Sequence, residues 1–181
     1  RGIFVGEPLD FVWKNVFNSV SISALAAGLT VIAALPVSFL AVRHSGWLSR
    51  FIERSTYLGF ALPGIVVALA IIFFGVNFIP FFYQTFALLL IAYVILFLPT
   101  ASGALKSSLL QVNSKVEDAA RSLGSKPINV LLTITLPLLK PGIISGAALV
   151  FLVTLKELPA TLLLSPIGFQ TLATSIWSAT S

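Results

Sequence analysis

The apolar positions of this chain fall into long uncharged runs separated by short polar ones. Residues 15–42 form 28 positions without a charge. As a helix they reach about 42 Å, more than the roughly 30 Å of a hydrocarbon core. The first nine are polar enough for an interface, so the pattern predicts a spanning helix over 18–42. Residues 55–105 are 51 uncharged positions. One helix of about 77 Å is too long for a single crossing. The Gly75-Val76-Asn77-Phe78-Ile79-Pro80 stretch supplies a break, which predicts helices over 56–76 and 84–105. Phe78, Phe81, Phe82 and Tyr83 at that turn suit an aromatic belt. Apolar sequence returns over 141–164, where a crossing must take in Lys156 and Glu157. Between the third and fourth spans, 106–140 is polar and charged. The tail beyond 164 is too short and polar for another crossing.

Composition agrees with the pattern. Of 181 residues, 57% are hydrophobic and 9% charged, against about 25% charged in a soluble domain. The expected class is therefore all-α, a polytopic helical membrane protein. Cysteine is absent and there is one histidine, His44, so thiolate and histidine-cluster metal sites are excluded and no metal is expected. The chain has no methionine and begins with Arg1, which points to a processed chain or a fragment. The formal charge of +5 raises the question of nucleic acid. The basic residues, however, sit between apolar runs, as membrane topology requires, so no nucleic-acid partner is expected. Four crossings put Arg43, Arg50, Arg54, Lys106, Lys115, Arg121, Lys126 and Lys140 on one side, which the positive-inside rule makes cytoplasmic. Arg1 and Lys14 fall outside.

Within 106–140, Ser114-Lys115-Val116-Glu117 has the form of a capping box, Ser114 as N-cap and Glu117 reaching back. A helix over 115–123 comes next, with Gly124 suited to the C′ position. Val116, Ala119, Ala120 and Leu123 share one face. Ser125 is placed to cap a second helix with Pro127 in its first turn. Ile128, Leu131, Leu132 and Thr135 continue a face as far as Pro137. From the pattern alone, this amphipathic helix either rests on its own bundle or the lipid surface, or is a docking knob for a cytoplasmic partner.

The residues themselves carry a resemblance. Asp118-Ala119-Ala120, three residues, Gly124, nine residues, then Ile134-x-Leu136-Pro137 resembles the Glu-Ala-Ala loop of ABC-transporter permease subunits. Asp118 stands at the Glu position, with Glu117 just before it. The resemblance implies the type I importer transmembrane core. It also implies that Glu117, Asp118, Ala119, Ala120, Gly124, Ile134, Leu136 and Pro137 form a coupling loop whose helix sits in a groove of an ATPase dimer. The alanines would permit close approach, and the acidic group would meet basic ones. Gly124-Ser125-Lys126 lacks the earlier glycine of a phosphate-binding loop. No cofactor is expected on this chain and it is not expected to be an enzyme; ATP with magnesium would be held by the separate ATPase.

Lys156-Glu157 is the other marked feature. A charge deep in a span costs roughly 2.5–3.5 kcal/mol on insertion scales, so it pairs or faces a polar interior. Adjacent residues point about 100° apart on a helix and pair poorly with each other. Either the pair snorkels near a helix end broken at Pro159, or it faces a pathway. The run Lys156-Glu157-Leu158-Pro159-Ala160-Thr161, with Gly168 to Thr174 downstream, is similar to the ferric-iron permease branch. That resemblance implies a translocation pathway through Lys156, Glu157, Pro159 and Thr161. It further implies ferric-iron transport across a bacterial inner membrane, a periplasmic solute-binding protein, a second permease half, fused or separate, and one more helix after Ser181. Two rival readings are a secondary transporter using Glu157 as an ion site and a membrane assembly subunit without transport.

Overall fold

The computed structural model describes residues 9–44 and 46–180, and among them every regular element is helical. Arg1, assigned above to the outer side, lies outside the described residues. Helix α1 (Leu9–Arg43) has 35 residues and α4 (Phe86–Gln111) has 26. At 1.5 Å per residue these are about 52 Å and 39 Å, each enough for a membrane. Two bent pairs complete the set of apolar helices. The first is α2 (Trp47–Ala61) with α3 (Gly64–Phe78). The second joins the 127–138 segment to α8 (Lys140–Leu155). By length and composition there are two candidate spans, or four if each bent pair is one.

The helix expected over 56–76 is not a single rod. It breaks at Leu62-Pro63, and α2 and α3 meet at 109°. Proline disfavours helical backbone in the residue before it, and Leu62 is extended, at φ −105° and ψ 133°. Pro36 and Pro99 do not break α1 or α4, which run through them. The segment expected over 141–164 is likewise divided. Helix α8 ends at Leu155, and a short α9 (Pro159–Leu164) starts with proline at its first position. After it, α10 (Leu172–Thr180) packs back on α1.

The bundle centres on α1, α4 and α8, which pack mutually; α2 and α3 lie against α4, and α9 against α3. On α1 the polarity is inverted relative to a soluble protein. Helix α1 buries Asn15, Ser19, Ser23, Ala26, Thr30, Ala34 and Ser38 while Trp13, Phe17, Leu25 and Ile32 face outward. Lipid provides no hydrophobic drive between helices, so small residues that let backbones approach do the packing. Two buried hydroxyls find partners within their own helix: Ser19 donates to the Asn15 carbonyl and Thr154 to that of Val150, both at 2.8 Å. Ser38 reaches across to the Ser102 carbonyl of α4, and Ser23 and Thr30 are buried without a partner among the described residues. An apolar exterior this continuous belongs in a membrane.

Helices approach closely at Gly142-x-x-x-Gly146. Gly142 faces Ser108, and Gly146 faces Ala101 and Ala104 of α4. A Cβ on Gly142 would sit 2.4 Å from Ser108 Cβ, inside any real contact. Gly142→Val should therefore force α4 and α8 apart and lower stability by about 1–3 kcal/mol. Thermal unfolding in detergent checks this, with Gly28→Ala, which meets nothing within 4 Å, expected to change stability little.

Candidate functional site

The loop after α4 is built from a short run of local decisions. Val112 is extended, at φ −81° and ψ 115°. Helix α5 (Ser114–Ser122) then begins. Its cap is Asn113, whose side-chain oxygen accepts from the Lys115 N–H at 3.0 Å. The capping box expected on Ser114 and Glu117 is not formed: Ser114 is the first helical residue and Glu117 is engaged elsewhere. Asparagine is among the strongest N-caps, and it precedes Ser114 by one position, so the sequence offered two registers. At the other end Gly124 occupies C′ with φ +86°. The Ser125 N–H reaches the Ala120 carbonyl at 3.1 Å and the Gly124 N–H that of Arg121 at 3.0 Å. This left-handed exit favours glycine because side chains with Cβ are strained there. Ser125 does not cap the next helix. Lys126 holds that position without a side-chain bond, and Pro127 opens α6 (Pro127–Val130).

Pro137 shapes the turns around it. It has no N–H to donate to the carbonyl four residues back, and residues Leu131–Thr135 form a π turn, in which the Leu136 N–H reaches the Leu131 carbonyl. One-turn π insertions of this kind alter the facing of side chains. Here Thr135 is buried and donates to Glu117 Oε1 at 3.1 Å. Helix α7 (Leu136–Leu138) then leads into α8.

Glu117 is the buried residue of α5, 3% exposed. Its Oε1 also accepts from Arg43 Nη2 at 3.0 Å, and the same Nη2 donates to the Val112 carbonyl at 2.9 Å. The other quoted residues of the loop point away from the bundle or lie at its margin. Asp118 is exposed and sits 4.0 Å from Arg121. Val116, Ala119 and Leu123 are exposed, Ala120, Ile134 and Leu136 half-buried, and Pro137 exposed. The apolar face of α5 is thus turned outward.

The second group lies where both helix breaks meet. Lys156 is exposed and Glu157 half-buried, and neither forms an ion pair among the described residues. Glu157 Oε1 accepts from the Ala160 N–H at 3.3 Å, covering a free donor at the start of α9. The same oxygen approaches Gly64 at the start of α3, only 3.1 Å from where a Cβ would stand. Thr161 is buried, donates to the Glu157 carbonyl, and shares a 2.6 Å hydrogen bond with Tyr93 of α4. Pro159 is exposed at the head of α9. Lys156, Glu157, Pro159 and Thr161 therefore cluster at one helix break, while the loop residues lie at the far end of α8. Sequence reasoning missed Arg43, Asn113, Gly64 and Tyr93. Of these only Asn113 carried a local signal, its place just before the helix.

The cap assignment separates two variants. Asn113→Ala should destabilise α5 by about 0.5–2 kcal/mol, read as faster amide exchange over the helix. Ser114→Ala should leave that exchange unchanged.

Comparison with known proteins bears on the family. The model of the family described as binding-protein-dependent transport system inner membrane component matches residues 26–181. The chain is 43% identical over 164 residues to the Fe(3+)-transport system permease protein FbpB 2 of Haemophilus influenzae, covering 91% of this chain and 32% of that protein. It thus spans about a third of that relative's length. It is 31% identical over 164 residues to the molybdenum transport system permease protein ModB of Escherichia coli, covering 84% of this chain and 72% of that one. Among solved structures, an inward-facing MetNI methionine ABC transporter superposes with a TM-score of 0.67 over 82% of this chain and 73% of its own. At 17% identity that likeness speaks to the fold, an ABC-transporter transmembrane domain. With small residues packed inside, apolar side chains outside and a family match over most of its length, this chain belongs to the inner membrane components of binding-protein-dependent transport systems.

Proposed function

We propose that this chain is part of the translocating subunit of an ATP-driven importer, with α5 as the helix that docks a separate ATPase. The observation that carries the reading is the inversion of α5. One of its two acids, Glu117, is anchored inside, while Val116, Ala119 and Leu123 are exposed. A helix resting on its own bundle would turn that face inward. Small residues there permit the close backbone approach a groove demands. Gly124 ends the helix abruptly, so the docking surface is about two and a half turns long.

The cargo we assign is ferric iron, on the similarity to the Fe(3+) permease, delivered on the outer side by a solute-binding protein. Relatives named for molybdenum and 2-aminoethylphosphonate transport make molybdate and that phosphonate the competing cargoes. The pathway is assigned to the junction of the two helix breaks. In transporters, discontinuous helices leave backbone groups free where a pathway passes. Glu157, Lys156, Pro159 and Thr161 gather at such a junction here. A second permease half, fused or separate, would face the same pathway.

Two outcomes test these assignments. Ala119→Trp, or Gly124→Val with its strained φ, should weaken ATPase association by about tenfold or more, the equivalent of roughly 1.4 kcal/mol. Co-purification and ATP-driven uptake by the complete transporter measure this; unchanged uptake would remove α5 from the docking role. In vesicles supplied with ATP, radiolabelled ferric iron should accumulate after the proton gradient is collapsed, and molybdate should not. Strict dependence on the gradient would instead point to Glu157 serving a secondary transporter.

A further inference from the structure

Helix α1 has a polar joint at each end. At Arg43 the guanidinium holds the Val112 carbonyl and Glu117 Oε1, and Thr135 completes the same carboxylate oxygen. Both charged side chains are withdrawn from solvent, 14% and 3% exposed. At the other end Asn15 Nδ2 donates to Ser175 Oγ at 3.2 Å, and Asn18 Nδ2 to the Gln170 carbonyl at 2.9 Å. The Leu172 N–H donates to Ser19 Oγ at 2.8 Å. Between Ser19 and Arg43 runs unbroken helix of about 36 Å. One end of this rod therefore grips α5, and the other grips the segment beyond α9 and Glu157.

We propose that α1, although remote from α5 in sequence, is the element that α5 drives, through the joint of Arg43, Glu117 and Thr135. This rests on the reading of α5 as the docking helix. The covalent routes out of α5 are softer. Toward α4 it is joined through the non-helical pair Val112-Asn113, and toward α8 through Gly124, α6 and the π turn. A largely buried ion pair whose carboxylate oxygen also accepts from Thr135 resists displacement, because separating its members leaves a buried charge uncompensated. Motion of α5 would then arrive at residues 170–175 as a displacement of a stiff helix, with Arg43 as a positioning residue that touches no cargo. Two-body elements of this sort are the usual carriers of coupling between distant sites.

These 181 residues hold no cysteine, so introduced pairs can be spin-labelled in a complete transporter whose other subunits and segments have had any cysteines replaced. Ser114→Cys with Trp13→Cys reports α5 against the outer end of α1. Ser114→Cys with Ile144→Cys reports α5 against α8. All three positions are exposed. In the complete transporter, the first distance, about 45 Å along the rod, should stay narrow and unchanged between nucleotide-free and ATP-trapped states, while the second changes. If the first changes as much as the second, or if neither changes, α1 is not the driven element and the proposal is overturned.

Arg43→Met with Glu117→Leu replaces the pair by apolar side chains of similar bulk, a change that buried ion pairs commonly tolerate. This double variant should keep its ATPase yet broaden the first distance and lower radiolabelled ferric iron taken up per ATP by about tenfold. A double variant with a narrow distance and an unchanged ratio overturns the joint. Ala119→Trp separates the two levels. If it displaces the ATPase while the Arg43 and Glu117 variant behaves as wild type, only the joint fails; if it leaves the ATPase bound and coupled, the docking reading fails with it.

Discussion

Close approach of helix backbones is the constraint on which this structure rests. In a hydrocarbon surrounding, Leu and Phe gain nothing by turning inward, and the contacts that remain are van der Waals and hydrogen bonds between helices. Gly142, Gly146, Ala101 and Ala104 let α8 lie against α4. The Ala and Ser side of α1 lets it join both. Many large side chains stand outside, where lipid receives them, while those of α4, such as Leu88, Leu89 and Tyr93, fill the space the small residues leave inside. The inverted surface, the long helices and the small-residue seam are three expressions of one solvent condition.

The same condition restricts where helices end. Any backbone donor freed inside a bilayer must find a partner. The break before α9 meets this with Glu157, whose carboxylate takes the Ala160 N–H, and with Thr161, whose hydroxyl returns to the Glu157 carbonyl. A charged residue that looks expensive in the sequence thus stabilises a helix end that its neighbour Pro159 creates. Glu157 also closes on Gly64, where the other broken pair begins. The two breaks are in contact, so a shift of one backbone is felt by the other.

Much of this architecture was legible in the residues. Uncharged run lengths marked the long helices, and Gly124 declared the left-handed exit of α5. Single positions misled where two local rules competed. Asn113 and Ser114 are both good caps, and the capping-box pattern favoured the wrong one, because Glu117 finds better partners in tertiary structure. At Leu62-Pro63 the apolar pattern ran on without interruption, so hydropathy concealed a 109° bend. In the sequence Arg43 is no more than one basic residue on one side of a membrane. Its partnership with Glu117 joins residues 74 positions apart, a distance over which no local pattern reports.

On the docking role proposed for α5, its outward face has a consequence for fidelity. Its one deeply buried acid is spent on Arg43, and the exposed Asp118 and Arg121 stand close enough to offset each other. What is left to present is Val116, Ala119 and Leu123 beside the exposed ammonium of Lys115. Repulsive charge is a usual means of rejecting a wrong partner, and outside the Asp118 and Arg121 pair this helix has Lys115 to supply it. In that role a single exposed cation on an otherwise apolar face would do the sorting among motor subunits, and contour the rest.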